Sequence, residues 1–463
     1  MAAPPRVAIV GGGLAGAAAA LEAVRQGAEA MLVSAASGAT ALGWGSLDVA
    51  GAVPGSRRLR WRAPLREAPL TGADRLAILI GTFATHPYAV LFGRDAARGD
   101  AAAAAEQVKQ AVEDLDCALQ PHGLGVEGSL DENRLLADPH GNVRVCDYAF
   151  SGAAGGNLAE VPEIAWVTLA GLPADPASVA LGRLAAERAA LGLSPAPARS
   201  VELRLPEGLA LESVARLAAE LDRPDALAAL CQVAKEARAG SSAGRMWLFP
   251  PVLGLESPAP KLAALRESVG SPVAETLAAV PDATPGYRLQ RALAAALDAA
   301  GVRRYAGRAT NLAVREGRIG ALGYTNEQGD AVEIDADAVV LATGRFLAGG
   351  LREEGGVVAE SILGLPLYDG KGARVDGRPA QASVRRRYLD AHPLFGAGVA
   401  TDARLRPVNA PGGPPVAPNV FAAGDLLTGF DAARDRTGLG VALMTGVAAA
   451  RNAVQGAKRG GLS

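Results

Sequence analysis

The stretch Arg6-Val-Ala-Ile-Val10 is a short apolar strand that runs straight into Gly11-Gly12-Gly13-Leu14-Ala15-Gly16 and an alanine-rich helix. Glycines at 11, 13 and 16, with a strand before and a helix after, form the dinucleotide-binding fingerprint in the context it needs. Gly11 permits the tight turn. Gly13 lacks a Cβ, so a pyrophosphate can reach the backbone. Gly16 lets the helix lie close to the strand, and the helix N-terminus offers N–H groups and partial positive charge to phosphates. A secretory leader is the competing reading, since Arg6 precedes an uncharged run from Val7 to Leu21. Three consecutive glycines would break the helical core of such a leader, which argues against it.

The chain has 463 residues, room for about three domains. Its net charge of −2 gives no footprint for nucleic acid, and Arg385-Arg386-Arg387 reads as a solvated face. Cys117, Cys146 and Cys231 are scattered without C-x-x-C spacing, which fits a reducing cytoplasm and offers no iron–sulfur or zinc framework. The histidines form no H-x-x-H or H-E-x-x-H pattern, so no metal is expected. No uncharged apolar stretch is long enough to span a bilayer.

The first helix is expected around Ala15–Gln26, closed by Gly27, with a second strand over Glu29–Val33. An acidic residue usually ends that strand and holds ribose hydroxyls; here the position is Ser34. The small-residue loop from Gly38 to Asp48 follows; its glycines would let backbone lie against a flat ring, with Gly45 and Ser46 as candidate cofactor contacts, and the plainer alternative is an ordinary flexible loop. From about Arg60 the texture changes to short apolar runs, Ile164–Leu169 and Met246–Leu253. Helical patterns at Ala177–Leu191, Ser213–Leu221 and Pro260–Val269 alternate with them, as in a separate α/β unit. After Gly286 the helix Tyr287–Ala300 leads to strand-like segments Thr310–Arg315, Ile319–Tyr324 and Ala331–Ile334. Turns at Glu316-Gly317 and Gln328-Gly329 join them as hairpins.

Two downstream segments complete the picture. Val339-Val-Leu-Ala-Thr343-Gly344 is a buried strand ending in a glycine turn, and Asn419-Val-Phe-Ala-Ala-Gly424-Asp425 is another. Asp425 can accept hydrogen bonds from flavin hydroxyls. A helix starting at Gly438-Leu-Gly440 would place its dipole where charge develops on flavin reduction. With the glycine loop in front, this order points to a flavin. The pyrophosphate signature favours FAD, while Ser34 leaves FMN open. The fold expected is α/β: a discontinuous Rossmann-like flavin-binding domain, residues 1–60, 285–355 and 395–463, with an inserted α/β cap domain at 61–284 and a cap-associated segment at 356–394.

Several further segments stand out, of which Gly45–Asp48 and Gly344-x-Phe346-x-x-Gly349-Gly350-Leu351 are more specific than these generic motifs. The segments are Gly45-Ser46-Leu47-Asp48, His86-Pro87-Tyr88, Gly286-Tyr-Arg288-Leu-Gln290, Gly344-Arg-Phe346-Leu-Ala-Gly349-Gly350-Leu351, Val399-Ala-Thr401-Asp402, Leu405-Arg406-Pro407 and Gly429-Phe430-Asp431. In these, and over nearly its whole length, the chain resembles the B subunits of the bacterial anaerobic glycerol-3-phosphate dehydrogenases, flavoproteins of the two-domain FAD-binding oxidoreductase superfamily. Serine in place of the ribose-binding acid is part of that resemblance. It implies a flavin protein working with a homologous flavoprotein, the A subunit, and an iron–sulfur protein, the C subunit. Such a complex oxidises sn-glycerol 3-phosphate to dihydroxyacetone phosphate and passes electrons to quinone. It is cytoplasmic and held peripherally at the inner face of the cytoplasmic membrane through its partners. The alternatives are a fumarate-reductase-like oxidoreductase of another small substrate, and a non-catalytic flavin or electron-transfer subunit.

Oxidising a secondary alcohol needs a base for the hydroxyl proton and a hydride acceptor. His392 and His86 are the candidates for that base, each with the plainer alternative of a structural hydrogen-bonding role beside proline. A phosphate dianion calls for arginine, and Arg406, Arg345, Arg404 and Arg434 lie near the flavin motifs.

Overall fold

The computed structural model describes residues 3–50, 70–97, 101–238, 244–279, 283–315, 317–377, 379–387, 390 and 392–460. The expected domain boundary at 60/61 and Glu316 of an expected turn lie outside them. By packing, the chain divides into two units: Met1–Ala39, Ala73–Val112 and Leu293–Ser463 form one, Thr40–Gly72 and Glu113–Ala292 the other.

The first unit is built on one sheet. Its strands are β1 (Arg6–Val10), β2 (Glu29–Ser34), β3 (Arg303–Arg315), β4 (Arg318–Asn326), β5 (Ala331–Asp335), β6 (Ala338–Leu341) and β7 (Val420–Ala422), in the order β5-β4-β3-β2-β1-β6-β7. The pairs from β3 through β2, β1 and β6 to β7 are parallel, and β3-β4-β5 is an antiparallel meander. Central strands with both faces covered need apolar residues throughout, and Val7, Ala8 and Ile9 of β1 are wholly buried, as are all four residues of β6. Helix α1 (Leu14–Arg25) follows β1, and the long α2 (Gly438–Gly460) packs against it. Small residues make that approach close: a Cβ on Gly446 would stand 2.3 Å from the Ala15 carbonyl oxygen. The two helices are also tied by charge. Glu22, 4% exposed on α1, accepts from Arg25 one turn on and from Arg451 Nε of α2 at 2.7 Å.

The second unit has a four-stranded all-parallel sheet, in the order Val273–Glu275, Met246–Phe249, Ile164–Leu169, Ala198–Leu203. Strand Met246–Phe249 stops short of the apolar run that announces it, because Pro250 and Pro251 supply no backbone N–H. Helices Ala177–Ala190, Val214–Glu220, Pro224–Ala237 and Pro258–Val269 belong to this unit, the second of them capped by the Ser213 hydroxyl. Trp247, Phe249, Leu230 and Leu265 lie in its core. Arg288 and Glu275 are buried together: Nη1 and Nη2 meet the two carboxylate oxygens at 2.5 and 2.9 Å, and Nε donates to the Gly254 carbonyl at 2.7 Å.

The α/β class and the discontinuous flavin domain stand, but packing redraws the domain limits. Residues 73–112, expected in the insert, belong to the first unit, where the His86 ring packs on Phe430. Residues 356–394 belong there too, since Leu367–Tyr368 pairs with Gly398–Val399. Residues 40–50, expected with the first βαβ unit, belong to the second, because Ser46–Leu47 pairs antiparallel with Tyr148–Phe150. Residues 285–292 go with them, held by the Arg288–Glu275 pair.

Candidate flavin site

Three neighbouring parallel strands, β1, β6 and β7, each end in a glycine with positive φ: Gly11 at 120°, Gly344 at 68° and Gly424 at 71°. At Gly11 a Cβ would stand 2.1 Å from the Ala342 carbonyl oxygen, so the first turn and the end of β6 can meet only without a side chain. At Gly16 a Cβ would stand 1.9 Å from the Gly11 carbonyl oxygen, which is the close helix–strand approach expected of the third glycine. Gly13 is the N-cap of α1 in extended conformation, no side chain caps the helix, and its first turn holds no acid. Ser34, the last residue of β2, lies against this loop, its Oγ 2.9 Å from where a Gly12 Cβ would be. The Gly424 amide donates to Thr445 Oγ1 of α2 at 2.8 Å, which fixes the end of β7 against that helix.

Polar groups at these strand ends are left without partners among the described residues. Thr343 Oγ1 and Thr437 Oγ1, the latter just before Gly438 of α2, are buried with no hydrogen bond. The half-exposed Asp425 carboxylate makes no hydrogen bond either; its ion pair is Arg345 Nε at 3.6 Å from Oδ1. Burial pushes the Asp425 carboxyl up, the Arg345 charge opposes the shift, and Asp431 adds to it. Such groups cost free energy unless something accepts or donates to them. A glycine cradle at an uncapped helix N-terminus, flanked by unpartnered hydroxyls and a carboxylate, fits a polyhydroxylated dinucleotide. Gly11, Gly13, Gly16, Ser34, Thr343, Gly344, Gly424, Asp425, Gly438 and Gly440 therefore share the first unit, whereas Gly45 and Ser46 belong to the second.

The proposed substrate-end residues are otherwise engaged. His86 is wholly buried, and its Nδ1 accepts the Tyr88 amide at 3.1 Å as the N-cap of the helix Pro87–Phe92. His392 Nδ1 accepts the Arg385 amide at 2.9 Å, and its ring lies 5.2 Å from that of Phe395. An imidazole that accepts at Nδ1 carries its neutral-form proton at Nε2, so neither ring presents a lone pair for a substrate proton. Arg406 closes on Asp402 through Nε at 2.8 Å, and Asp402 also accepts the amides of Arg404 and Arg406, a self-contained turn. Arg404 and Arg434 are exposed. Arg345 is buried and spends its guanidinium on backbone carbonyls, so it is no open phosphate ligand. By sequence Arg345 stands among the phosphate candidates, and nothing in the sequence signals that its guanidinium is taken up by backbone carbonyls.

Burial holds the His86 imidazole neutral and lowers its pKa from 6.5 to about 3. The unfolded chain takes up a proton near pH 6.5 and the folded chain does not, so this stability is complete above that pH and is lost as pH falls towards 3. The loss reaches about 2 kcal/mol at pH 5. His86→Asn keeps a capping acceptor and removes the titration. In urea unfolding at pH 7 and pH 5, the parent should lose about 2 kcal/mol more than the variant; equal losses would exclude a neutral buried His86.

Comparison with known proteins agrees with this geometry. A family described as FAD binding domain matches residues 6–441. The B subunit of an anaerobic glycerol-3-phosphate dehydrogenase of Yersinia enterocolitica is 30% identical, covering 97% of each chain. That of Yersinia pseudotuberculosis is 29% identical over 95% of this chain and 96% of its own. A probable B subunit of the same enzyme from Halobacterium salinarum is 29% identical over 98% of this chain and 99% of its own.

Proposed function

Because this chain belongs to the FAD binding domain family and, within it, to the B subunits of anaerobic glycerol-3-phosphate dehydrogenase, we propose that it is the FAD-bearing member of a complex oxidising sn-glycerol 3-phosphate. It is a flavin-dependent oxidoreductase and its flavin is FAD. Likeness along 97% of both chains is the observation that carries the substrate, the product dihydroxyacetone phosphate and the partners. Those partners are the homologous flavoprotein of the complex, its iron–sulfur protein and, through them, quinone. The localisation that goes with them is cytoplasmic, at the inner membrane face through the partners. Among the described residues no helix is long and apolar enough to cross a membrane, and no group of His, Cys, Asp and Glu could hold a metal.

FAD, when bound, supplies the hydride acceptor. The chain's part is to hold it. The loop Gly11–Gly16 and the start of α1 would present N–H groups to the pyrophosphate, and Ser34 would stand in for the ribose-binding acid. Thr343 would donate to or accept from FAD hydroxyls, the Asp425 carboxylate would accept from them, and the N-terminus of α2 at Gly438–Gly440 would favour negative charge there. Asp425→Ala should cost about 1.5–3 kcal/mol of binding, roughly ten- to hundredfold in FAD affinity, without unfolding the unit. Fluorescence titration of the FAD-depleted chain reads it, and unchanged affinity would remove Asp425 from the site.

A second reading has its own support: both imidazoles accept at Nδ1 and Arg406 is closed on Asp402, which suits a protein that holds flavin and passes electrons while the alcohol is oxidised on the homologous partner. Purified chain, assayed with sn-glycerol 3-phosphate and a dye acceptor, separates the two. Turnover by the chain alone supports oxidation here. Turnover only with the homologous flavoprotein present supports the second reading, and quinone reduction by the isolated chain would overturn the partner requirement.

A further inference from the structure

Three segments far apart in sequence meet around one side chain, Phe430. The Arg345 guanidinium lies over its ring, 5.0 Å from the centroid, and the His86 ring stands edge-on to it at 5.8 Å. Arg345 is 7% exposed. Its Nη1 donates to the Phe395 carbonyl, and its Nη2 donates to those of Leu427 and Phe430 at 3.0 and 2.9 Å. Carbonyls of three loop positions thus fix the plane of the guanidinium, and the aromatic face below keeps water from it. The remaining nitrogen, Nε, faces Asp425 Oδ1 at 3.6 Å, too long for a hydrogen bond but close enough for a firm charge interaction.

We propose that Arg345 is a positioning residue: anchored on the Phe395, Leu427 and Phe430 carbonyls, it holds the Asp425 carboxylate in place to receive FAD hydroxyls. This rests on the reading of Asp425 as a cofactor ligand. Two observations carry it. The Asp425 carboxylate has no hydrogen bond among the described residues, and its ion pair with Arg345 is the contact that orients it there. Arg345 directly follows Gly344, so one turn after β6 carries both backbone for the cofactor and the charge that sets Asp425 in the turn after the neighbouring β7. Burial raises the Asp425 carboxyl and the Arg345 charge works against that shift, which keeps the acceptor form within reach. Lysine cannot do the same, because one ammonium has no planar fork to span these carbonyls while leaving a separate N–H towards Asp425.

The test is a double-mutant cycle on the full chain depleted of FAD, reading FAD affinity by fluorescence titration and the thermal midpoint without FAD. Asp425→Asn and Arg345→Met should each weaken FAD binding by about ten- to hundredfold, and the pair together no more than the worse single change. The thermal midpoint should fall with Arg345→Met and stay with Asp425→Asn. Arg345→Lys, which keeps the charge, should show the same coupling if Arg345→Met does not fold. Losses that multiply in the double variant would show Arg345 acting through loop packing alone and overturn the proposal. Unchanged affinity in Asp425→Asn with an unchanged midpoint would instead overturn the ligand reading beneath it.

Discussion

Gly11→Ala should give a colourless protein. The added methyl would stand 2.1 Å from the Ala342 carbonyl oxygen, and the backbone there has a φ of 120°, a region that residues with a Cβ rarely enter. Relieving the clash moves either the loop or the end of β6, and both belong to the cofactor cradle. Strain of about 1–3 kcal/mol and overpacking of similar size add to about 2–6 kcal/mol. Absorbance of the purified variant near 450 nm measures FAD carried through purification. A full complement of FAD in Gly11→Ala would show that this turn does not shape the site.

Arg288→Met should be the most damaging single change in the second unit. The pair with Glu275 is nearly inaccessible, with side-chain exposures of 2% and 1%, so removing the cation strands a carboxylate in the core. Breaking a buried pair in this way costs about 3–5 kcal/mol. Glu275 also accepts the Leu253 amide at 2.6 Å, so the stranded group would drag on the loop after Met246–Phe249. Arg288→Met with Glu275→Gln should recover much of the loss, because the amide needs no counter-charge and still accepts from Leu253. Urea unfolding of the three chains tests this. A single variant as stable as the parent would mean that water reaches the pair.

The parts legible in the sequence are those where local chemistry and burial agree. Strand Ile164–Leu169 is read to the residue because five of its six residues are buried in a parallel sheet. The glycine cradle is legible because each glycine answers a separate steric demand. Strand β3 is read only in its second half. Most of Arg303–Arg315 is exposed, so no apolar alternation marks it; pairing to β2 on one side and β4 on the other holds it in the sheet. The domain limits slip for a related reason: Ser46–Leu47 is two residues long, and its partner Tyr148–Phe150 lies about a hundred residues on. His86 looks like a candidate base in sequence and proves a buried cap, since nothing local reveals that Phe430 will cover it. Arg345 carries no signal of its clasp because its acceptors are backbone carbonyls, which every residue has.

The position of β1 between β2 and β6 sets a schedule for the growing chain. Its first neighbour is synthesised at once, but the edge that β6 will occupy waits for residues 338–341. At cellular synthesis speeds of roughly 5–20 residues per second, that wait lasts on the order of 15–70 s. During it, the bare edge of β1, apolar from Val7 to Val10, offers a template for any passing strand. Residues 113–292 emerge in the interval and contain all four strands of the second unit's parallel sheet, so that sheet can close while the first waits. The strand order thus makes the edge of β1 that faces β6 the one left open longest to mispairing during synthesis.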